Sequence, residues 1–289
     1  MREPSFSKIT VIGVGLIGGS FAKGLKEAGV AKTVFGFGHN ESNLKKAVAL
    51  GIVDAYSTDI EAAVQDSDLI LLSVPLGVMK SLLLQMKPYL KEGVIITDAG
   101  SAKGSVIAAV ESVFGTVPAN FVPGHPIAGK ERSGVEAAEA SLFIDHRVIL
   151  TPLETTSIEA IQQVTQLWQV LGANVESMSA QQHDEIFAAT SHLPHLLAFS
   201  LVDMLNEHQE LGNVFPYTAG GFRDFTRIAS SDAIMWRDIS IENSTAIVKW
   251  LKQYQSKITA LTEMVENRDS EALQQLFVNA KQARDKHIK

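Results

Sequence analysis

The sequence predicts a doubly wound α/β sheet over its first half and an all-helical domain over its second. From Lys8 to Thr151, short β-branched or continuously apolar runs alternate with helical spacing. A glycine-rich turn joins the first strand to the first helix. After Thr151–Pro152 strand-like runs all but stop, and apolar residues recur at three- and four-residue spacing. Right-handed crossovers then place helices on both faces of the sheet. At about 100–200 residues per domain, 289 residues make two. The expected division is 1–177 and 178–289.

Lys8–Gly13 reads as a buried strand and Gly18–Ala28 as the helix that follows it. Thr33–Gly38 is a second strand, and Glu41–Leu50 a second helix. Asp68–Val74 and Val94–Asp98 are nearly continuous apolar runs, as expected of parallel strands covered on both faces. Between them, Gly77–Leu90 has helical spacing. Phe121–Gly124, Arg147–Thr151 and Asn174–Ser177 are further strand candidates. Helices are predicted at Ser157–Leu171, Ala180–His208, Thr218–Ile228, Ser231–Ile241, Asn243–Glu266 and Ser270–Lys286. Several of these carry apolar residues on more than one face, a pattern of helices packed between subunits, so a homodimer is expected.

Composition narrows the function. The apolar fraction is 46% and the charged fraction 20%, as in a folded globular protein. Twenty-five Lys and Arg stand against 32 Asp and Glu, a net charge of −7 that disfavours nucleic acid and anionic lipid as partners. The chain has no cysteine, which excludes disulfides, thiolate metal sites and cysteine nucleophiles. No stretch reaches the roughly 18 apolar residues of a membrane helix, and no leader pattern is present; the expectation is a cytoplasmic protein without a membrane partner.

Gly13-Val14-Gly15-Leu16-Ile17-Gly18 is a GxGxxG turn between a strand and a helix. Gly13 permits the tight turn, and Gly15 removes the side chain that would block a pyrophosphate. Gly18 lets helix and strand approach, while the helix N-terminus presents free N–H groups. This is the phosphate cradle of a Rossmann-type dinucleotide site. Leu16, Ile17, His39, Asn40, Val74 and Pro75 are the further candidate cofactor contacts. An acid is expected at the end of the second strand to hold the ribose of NAD. Here Gly38-His39-Asn40 stands instead, and no arginine replaces it. NAD is expected, with NADP open.

Past the third strand, polar residues gather in excess of what packing requires. Asp98–Lys103 (DAGSAK) closes a strand, where open α/β sheets bind ligands. Gly124–Glu136 (GHPIAGKERSGVE) presents His125 between a glycine and a proline. In Ser191–His195 (SHLPH), Pro194 removes a backbone donor, so a kink is predicted, with His192 and His195 on one face. Without an HExxH-type frame this pair is not read as a metal site. Gly220–Ala229 (GGFRDFTRIA) places Arg223 and Arg227 one turn apart, suited to clamping carboxylates.

Taken together, these segments resemble the prephenate dehydrogenase family, also called cyclohexadienyl or arogenate dehydrogenases, over essentially the whole chain. The resemblance implies oxidative decarboxylation of prephenate by NAD(P) to 4-hydroxyphenylpyruvate, or of arogenate to tyrosine. It implies that His125, as a neutral imidazole, bonds the substrate C4 hydroxyl and promotes hydride loss, with Ser101 orienting it. A neutral-histidine requirement predicts an ionisation near pH 6–7. His195 lines the pocket by the same resemblance, with His192 behind it, and Arg227 binds a substrate carboxylate. The resemblance further implies that Glu131 and Arg223 form an ion pair at the pocket mouth, that Lys130 faces the substrate side chain, and that Trp236 walls the site, often across a dimer interface. The resemblance leaves no residues for an appended mutase or regulatory domain. A β-hydroxyacid-type dehydrogenase would carry a catalytic lysine in Gln181–Glu185, which has none, and a silent NAD(H) sensor would not need His125, Ser101, His195 and Arg227 together.

Overall fold

A computed structural model describes residues 6–130, 134–208, 210 and 212–288. The chain opens as β1 (Phe6–Ile12), α1 (Leu16–Glu27), β2 (Ala31–Phe37), α2 (Glu41–Ala49), β3 (Ala55–Ser57), α3 (Ile60–Val64), β4 (Leu69–Leu72), α4 (Leu76–Met86), β5 (Ile95–Asp98), α5 (Lys103–Phe114) and β6 (Phe121–Val122). These strands form a six-stranded sheet in the order β3-β2-β1-β4-β5-β6, and every pairing is parallel. Successive strand residues point to opposite faces, so the sheet feeds two cores. Ile9, Val11, Leu69 and Leu71 join one with Phe21 and Trp168, while Ile12, Ile70 and Leu72 join the other with Leu83 and Met86.

Phe121–Gly124 is not one strand. Pro123 has no N–H for a ladder, and the backbone groups of Gly124 are taken by side chains. Its N–H donates to Asp98 Oδ1 at 3.1 Å, and its carbonyl accepts from Lys103 Nζ at 2.6 Å. The chain therefore leaves the sheet as β7 (Gly124–Ile127). β7 pairs antiparallel with β8 (Arg147–Leu150), which pairs parallel with β9 (Asn174–Ser177) in a separate three-stranded sheet. Thus Arg147–Thr151 and Asn174–Ser177 form strands but do not extend the large sheet.

α6 (Ile158–Val170) lies between β8 and β9 in sequence and buries Trp168. The long helix predicted at Ala180–His208 is interrupted. α7 (Ala180–Phe187) runs into a π turn at Ala188–His192, and α8 (Leu193–Glu207) continues from it. Pro194 explains the interruption: it cannot donate to the carbonyl of Thr190, and the wide turn reroutes the ladder, with Leu193 N–H donating to Ala188 O. α9 (Gly220–Thr226) ends in a 3-10 turn at Arg227–Ser230, and α10 (Ala233–Glu242) follows.

By compactness the chain divides into Met1–Ser244 and Thr245–Lys289. The second unit consists of most of α11 (Ser244–Glu266) and all of α12 (Ser270–His287). Arg268 turns between them with φ 52°, and Asp269 caps α12 by accepting from Ala272 N–H at 3.0 Å. Leu273, Phe277 and Val278 share a groove along α12, and Phe277 and Val278 are exposed. Among the described residues no helix is long and apolar enough to cross a membrane.

Candidate active site

The glycine-rich turn has the shape a dinucleotide requires. Gly13 sits at φ 93°, and a Cβ there would lie 2.1 Å from Ser73 O, so no other residue fits. A Cβ on Gly18 would lie 2.1 Å from Gly13 O, which fixes how closely α1 approaches the turn. Gly15 is different: no atom lies within 4 Å of where its Cβ would be. α1 begins there with no side-chain cap and no acid in its first turn, leaving N–H groups and a positive helix end for phosphate. Leu16 and Ile17 open α1 and pack partly buried against the core. Val74 stands beside Gly13, and Pro75 caps α4. His39 and Asn40 are exposed after β2; the Asn40 side chain caps α2 by accepting from Asn43 N–H at 3.1 Å, and Asn43 Nδ2 donates to Val14 O at 2.9 Å.

Beyond the C-terminal edge of β5 lies a second, denser polar group. Asp98 and Lys103 are both fully buried and form an ion pair. Asp98 also accepts from Gly100 N–H at 2.8 Å. Burial lowers the Lys103 pKa, opposed by the Asp98 carboxylate. This pair holds Gly124 and so delivers His125, the next residue of β7.

His125 Nδ1 lies 2.8 Å from His183 Nε2, and His183 Nδ1 lies 2.8 Å from Asp184 Oδ1. Asp184 also accepts from the N–H groups of Lys103 and Gly104, each at 2.8 Å, and so caps α5 from α7. Burial pushes the Asp184 pKa up, but these hydrogen bonds prevail and hold it below the ordinary carboxylate value. Phe187 packs edge-on to His125 at 5.1 Å and against the His183 ring at 4.6 Å. Burial, then His183, Lys103 and His192, drive the His125 pKa well below 6.5. The acid ionisation that the sequence placed near pH 6–7 therefore moves lower.

His192 and His195 project from the π turn and the start of α8. The side-chain amide of Asn243 donates to Asp184 O at 2.9 Å and faces His192 Nδ1 at 3.2 Å. His195 Nδ1 donates to Ser191 O at 2.9 Å, and its ring stacks on Trp236 at 3.8 Å with an interplanar angle of 21°. The two rings therefore engage separate partners, and among the described residues no three metal-ligating side chains cluster. Burial first, then the Arg227 guanidinium, lowers the His195 pKa, which places Arg227 in the same electrostatic field. Trp236 is buried, and among the described residues its indole N–H has no hydrogen-bond partner. Two residues further on, Asp238 accepts from Gly77 N–H at 3.1 Å and ties α10 to the start of α4.

The structure thus brings His195, Trp236 and Arg227 together and sets His125 beside His183 and in the electrostatic field of His192, while Ser101 lies in the turn before α5. Ser101 makes no side-chain hydrogen bond among the described residues; the ring partner of His125 is His183. Lys130 is exposed and paired with Glu139 at 2.5 Å, and Arg223 is exposed on α9. Glu131 lies outside the described residues. Sequence reasoning gave no role to Asp98, Lys103, His183, Asp184 or Asn243. For Asp98 and Lys103 a signal existed, a charged residue closing a continuously apolar strand with a lysine five residues on. His183 and Asp184 carry none, since a His-Asp pair on a helix is ordinarily a solvated face.

Comparison with known proteins places the chain in a family. Residues 21–177 match the model of the prephenate dehydrogenase nucleotide-binding domain, and residues 179–279 that of the prephenate dehydrogenase dimerization domain. A cyclohexadienyl dehydrogenase of Zymomonas mobilis is 38% identical over 282 residues, covering 96% of this chain and 95% of that one. A prephenate dehydrogenase of Lactococcus lactis is 34% identical, covering 96% of this chain and 76% of its own length. The crystal structure of prephenate dehydrogenase from A. aeolicus, in complex with hydroxyphenyl propionate and NAD+, superposes with a TM-score of 0.91 at 37% identity and covers 99% of both chains.

Proposed function

The chain belongs to the prephenate dehydrogenase family, and from that premise we propose that it converts prephenate to 4-hydroxyphenylpyruvate and CO2 with NAD as oxidant. The observation that carries this reading is His125, held at the sheet edge with Nδ1 engaged and Nε2 without a hydrogen bond among the described residues. A neutral imidazole there can take the proton of a substrate hydroxyl. Bound NAD supplies the hydride acceptor.

The residues of the chain do the rest. Gly13, Gly15 and Gly18, with the N–H groups of Leu16 and Ile17, hold the pyrophosphate; Val74 and Pro75 border the nucleotide, and His39 and Asn40 meet its ribose. No acid in that position repels a 2′-phosphate, and NAD is chosen on the strength of the A. aeolicus complex. Arg227 takes a substrate carboxylate. Trp236 lends a flat wall and an unpartnered N–H. His195, whose Nδ1–H is committed to Ser191 O, offers an acceptor nitrogen when neutral. Ser101, in the turn before α5, takes by family resemblance the role of touching the same hydroxyl. In this reading residues 1–177 serve the nucleotide and 178–289 the substrate and a homodimer, whose second copy covers exposed apolar residues such as Val265 and Phe277. The cytoplasm is the setting it implies.

Absorbance at 340 nm tests the reading, with prephenate and arogenate each tried against NAD and NADP. Prephenate with NAD should be turned over fastest, and His125→Asn should cut kcat by about 10²–10⁴ with NADH binding unchanged. No turnover of either substrate by the native protein overturns it.

A further inference from the structure

We propose that His183 is a positioning residue: backed by Asp184, it holds His125 in the Nδ1–H tautomer and so keeps the Nε2 lone pair free for the substrate hydroxyl. This deepens the dehydrogenase reading and rests on it.

The tautomers follow one from another along the chain of contacts. Asp184 is a carboxylate with acceptors only, and it takes three donors: the Lys103 and Gly104 amides and His183 Nδ1. His183 Nδ1 must therefore carry a proton. In a neutral ring that leaves Nε2 bare, so at 2.8 Å it can only accept, and His125 Nδ1 must be the donor. His125 Nε2 is then unprotonated. The reverse tautomer of His125 would put an N–H toward the substrate, where it could donate but not take a proton.

The surroundings keep both rings neutral. Lys103 on α5 lies near both and opposes a charge on either, with Asp98 on β5 as its counterion; Asp184 on α7 favours charge on His183, and His192 on the π turn opposes it on His125. Both rings are desolvated, and for both the balance falls toward the neutral form. Phe187, one turn along α7 from His183, packs against both rings and limits their rotation. The proton that Nε2 takes from the C4 hydroxyl is the one the phenol product carries on the same oxygen. His125 returns it there, and none has to pass through His183. When His125 is transiently charged, its Nδ1–H bond to His183 strengthens, which favours the reacting state over the resting one.

Two variants and one spectrum test this. In protein carrying 15N-imidazole histidine, the His125 signals, assigned by their loss in His125→Asn, should show Nδ1 protonated and Nε2 bare. His183→Leu removes the acceptor and should lower kcat at least about 10-fold, since a misplaced tautomer in a serine-protease triad costs about 10⁴, with KM for prephenate changed less than about twofold. His183→Gln keeps an acceptor oxygen and should restore most of that kcat. A protonated Nε2 in the native protein overturns the proposal without any variant. So does a His183→Leu protein with native kcat, or a His183→Gln protein no better than His183→Leu. A native protein inactive on both substrates overturns the dehydrogenase reading instead, and the spectrum still decides the tautomer.

Discussion

Replacing His192 by asparagine should remove a defined part of the protein's loss of stability in acid. His192 is buried, and the amide of Asn243 points an N–H at its Nδ1, because the opposite amide orientation would set its oxygen against the carbonyl of Asp184. A proton on Nδ1 would face that donor. Burial first, then His183, opposed by Asp184 and aided by a smaller push from His195, lowers the pKa from 6.5 to about 4. The sign follows from linkage. Between about pH 4 and 6.5 the unfolded chain binds a proton at this position that the folded chain refuses, so stability falls as pH falls through that window. With these two pKa values the proton favours the unfolded chain about 30-fold at pH 5, which is about 2 kcal/mol relative to pH 8, rising to about 3 kcal/mol in stronger acid. Asparagine keeps an acceptor near the Nδ1 position and does not titrate. Urea unfolding at pH 8 and pH 5, at fixed protein concentration because an oligomer couples to it, should give a pH-dependent loss about 2 kcal/mol smaller in His192→Asn than in the native protein. The remaining loss belongs to His125, His183 and His195, whose pKa values are also lowered. An identical loss in both proteins would refute the reasoning, whatever their absolute stabilities.

Two further substitutions separate the parts of the site. Lys103→Met leaves Asp98 charged, buried and without its counterion; unfolding free energy should drop by about 3–5 kcal/mol, and Asp98→Asn added to it should recover part of the loss. A Lys103→Met protein with the native urea midpoint would show that the pair is not the strut of the β7 departure. Gly15→Val fills space that no protein atom occupies, so the melting temperature should hold while NADH affinity, read by fluorescence titration, weakens at least about 10-fold. Unchanged affinity would mean the phosphates lie elsewhere.

How much of this was legible in the sequence depended on whether a feature was local. The glycine turn, β1, β2, β4 and β5 declare themselves because a buried parallel strand needs an unbroken apolar run and the turn needs glycines at fixed offsets. Pro194 announced a break, and the π turn before it is that break, although the sequence could not say whether the helix would kink or widen. The three-residue β3 and the five-residue α3 are too short for periodicity to register. The departure of β7 was invisible because it is decided by two side chains, Asp98 and Lys103, reaching Gly124 from 26 and 21 positions away in sequence. His125 was found from its glycine and proline neighbours. Its partner was not, since His183 lies 58 positions further on and nothing around it distinguishes it from a surface histidine.

Asp184 shows why the missed residues belong with the ones that were found. Its carboxylate caps the start of α5, directly after the Ser101 turn, and fixes His183; its main-chain carbonyl receives the Asn243 amide that also faces His192. Through Lys103 the same network reaches Asp98 and the Gly124 carbonyl next to His125. Ring orientation at His125 and the position of the Ser101 turn therefore rest on one set of hydrogen bonds, which also reaches His192. In a network of this kind the effect of a substitution depends on which neighbours remain. The buried lysine has a chemical consequence as well as a structural one. It places a positive charge where a protonated imidazole would be costly, and the carboxylate that neutralises it lies on the sheet rather than beside the ring. Histidine is thereby kept a base at a site meant for an anionic substrate, whose own charge would otherwise favour protonating the ring. A protein of net charge −7 can bind such a substrate where the positive charge is local: in the function proposed above Arg227 meets the substrate, while Lys103 works from behind the base.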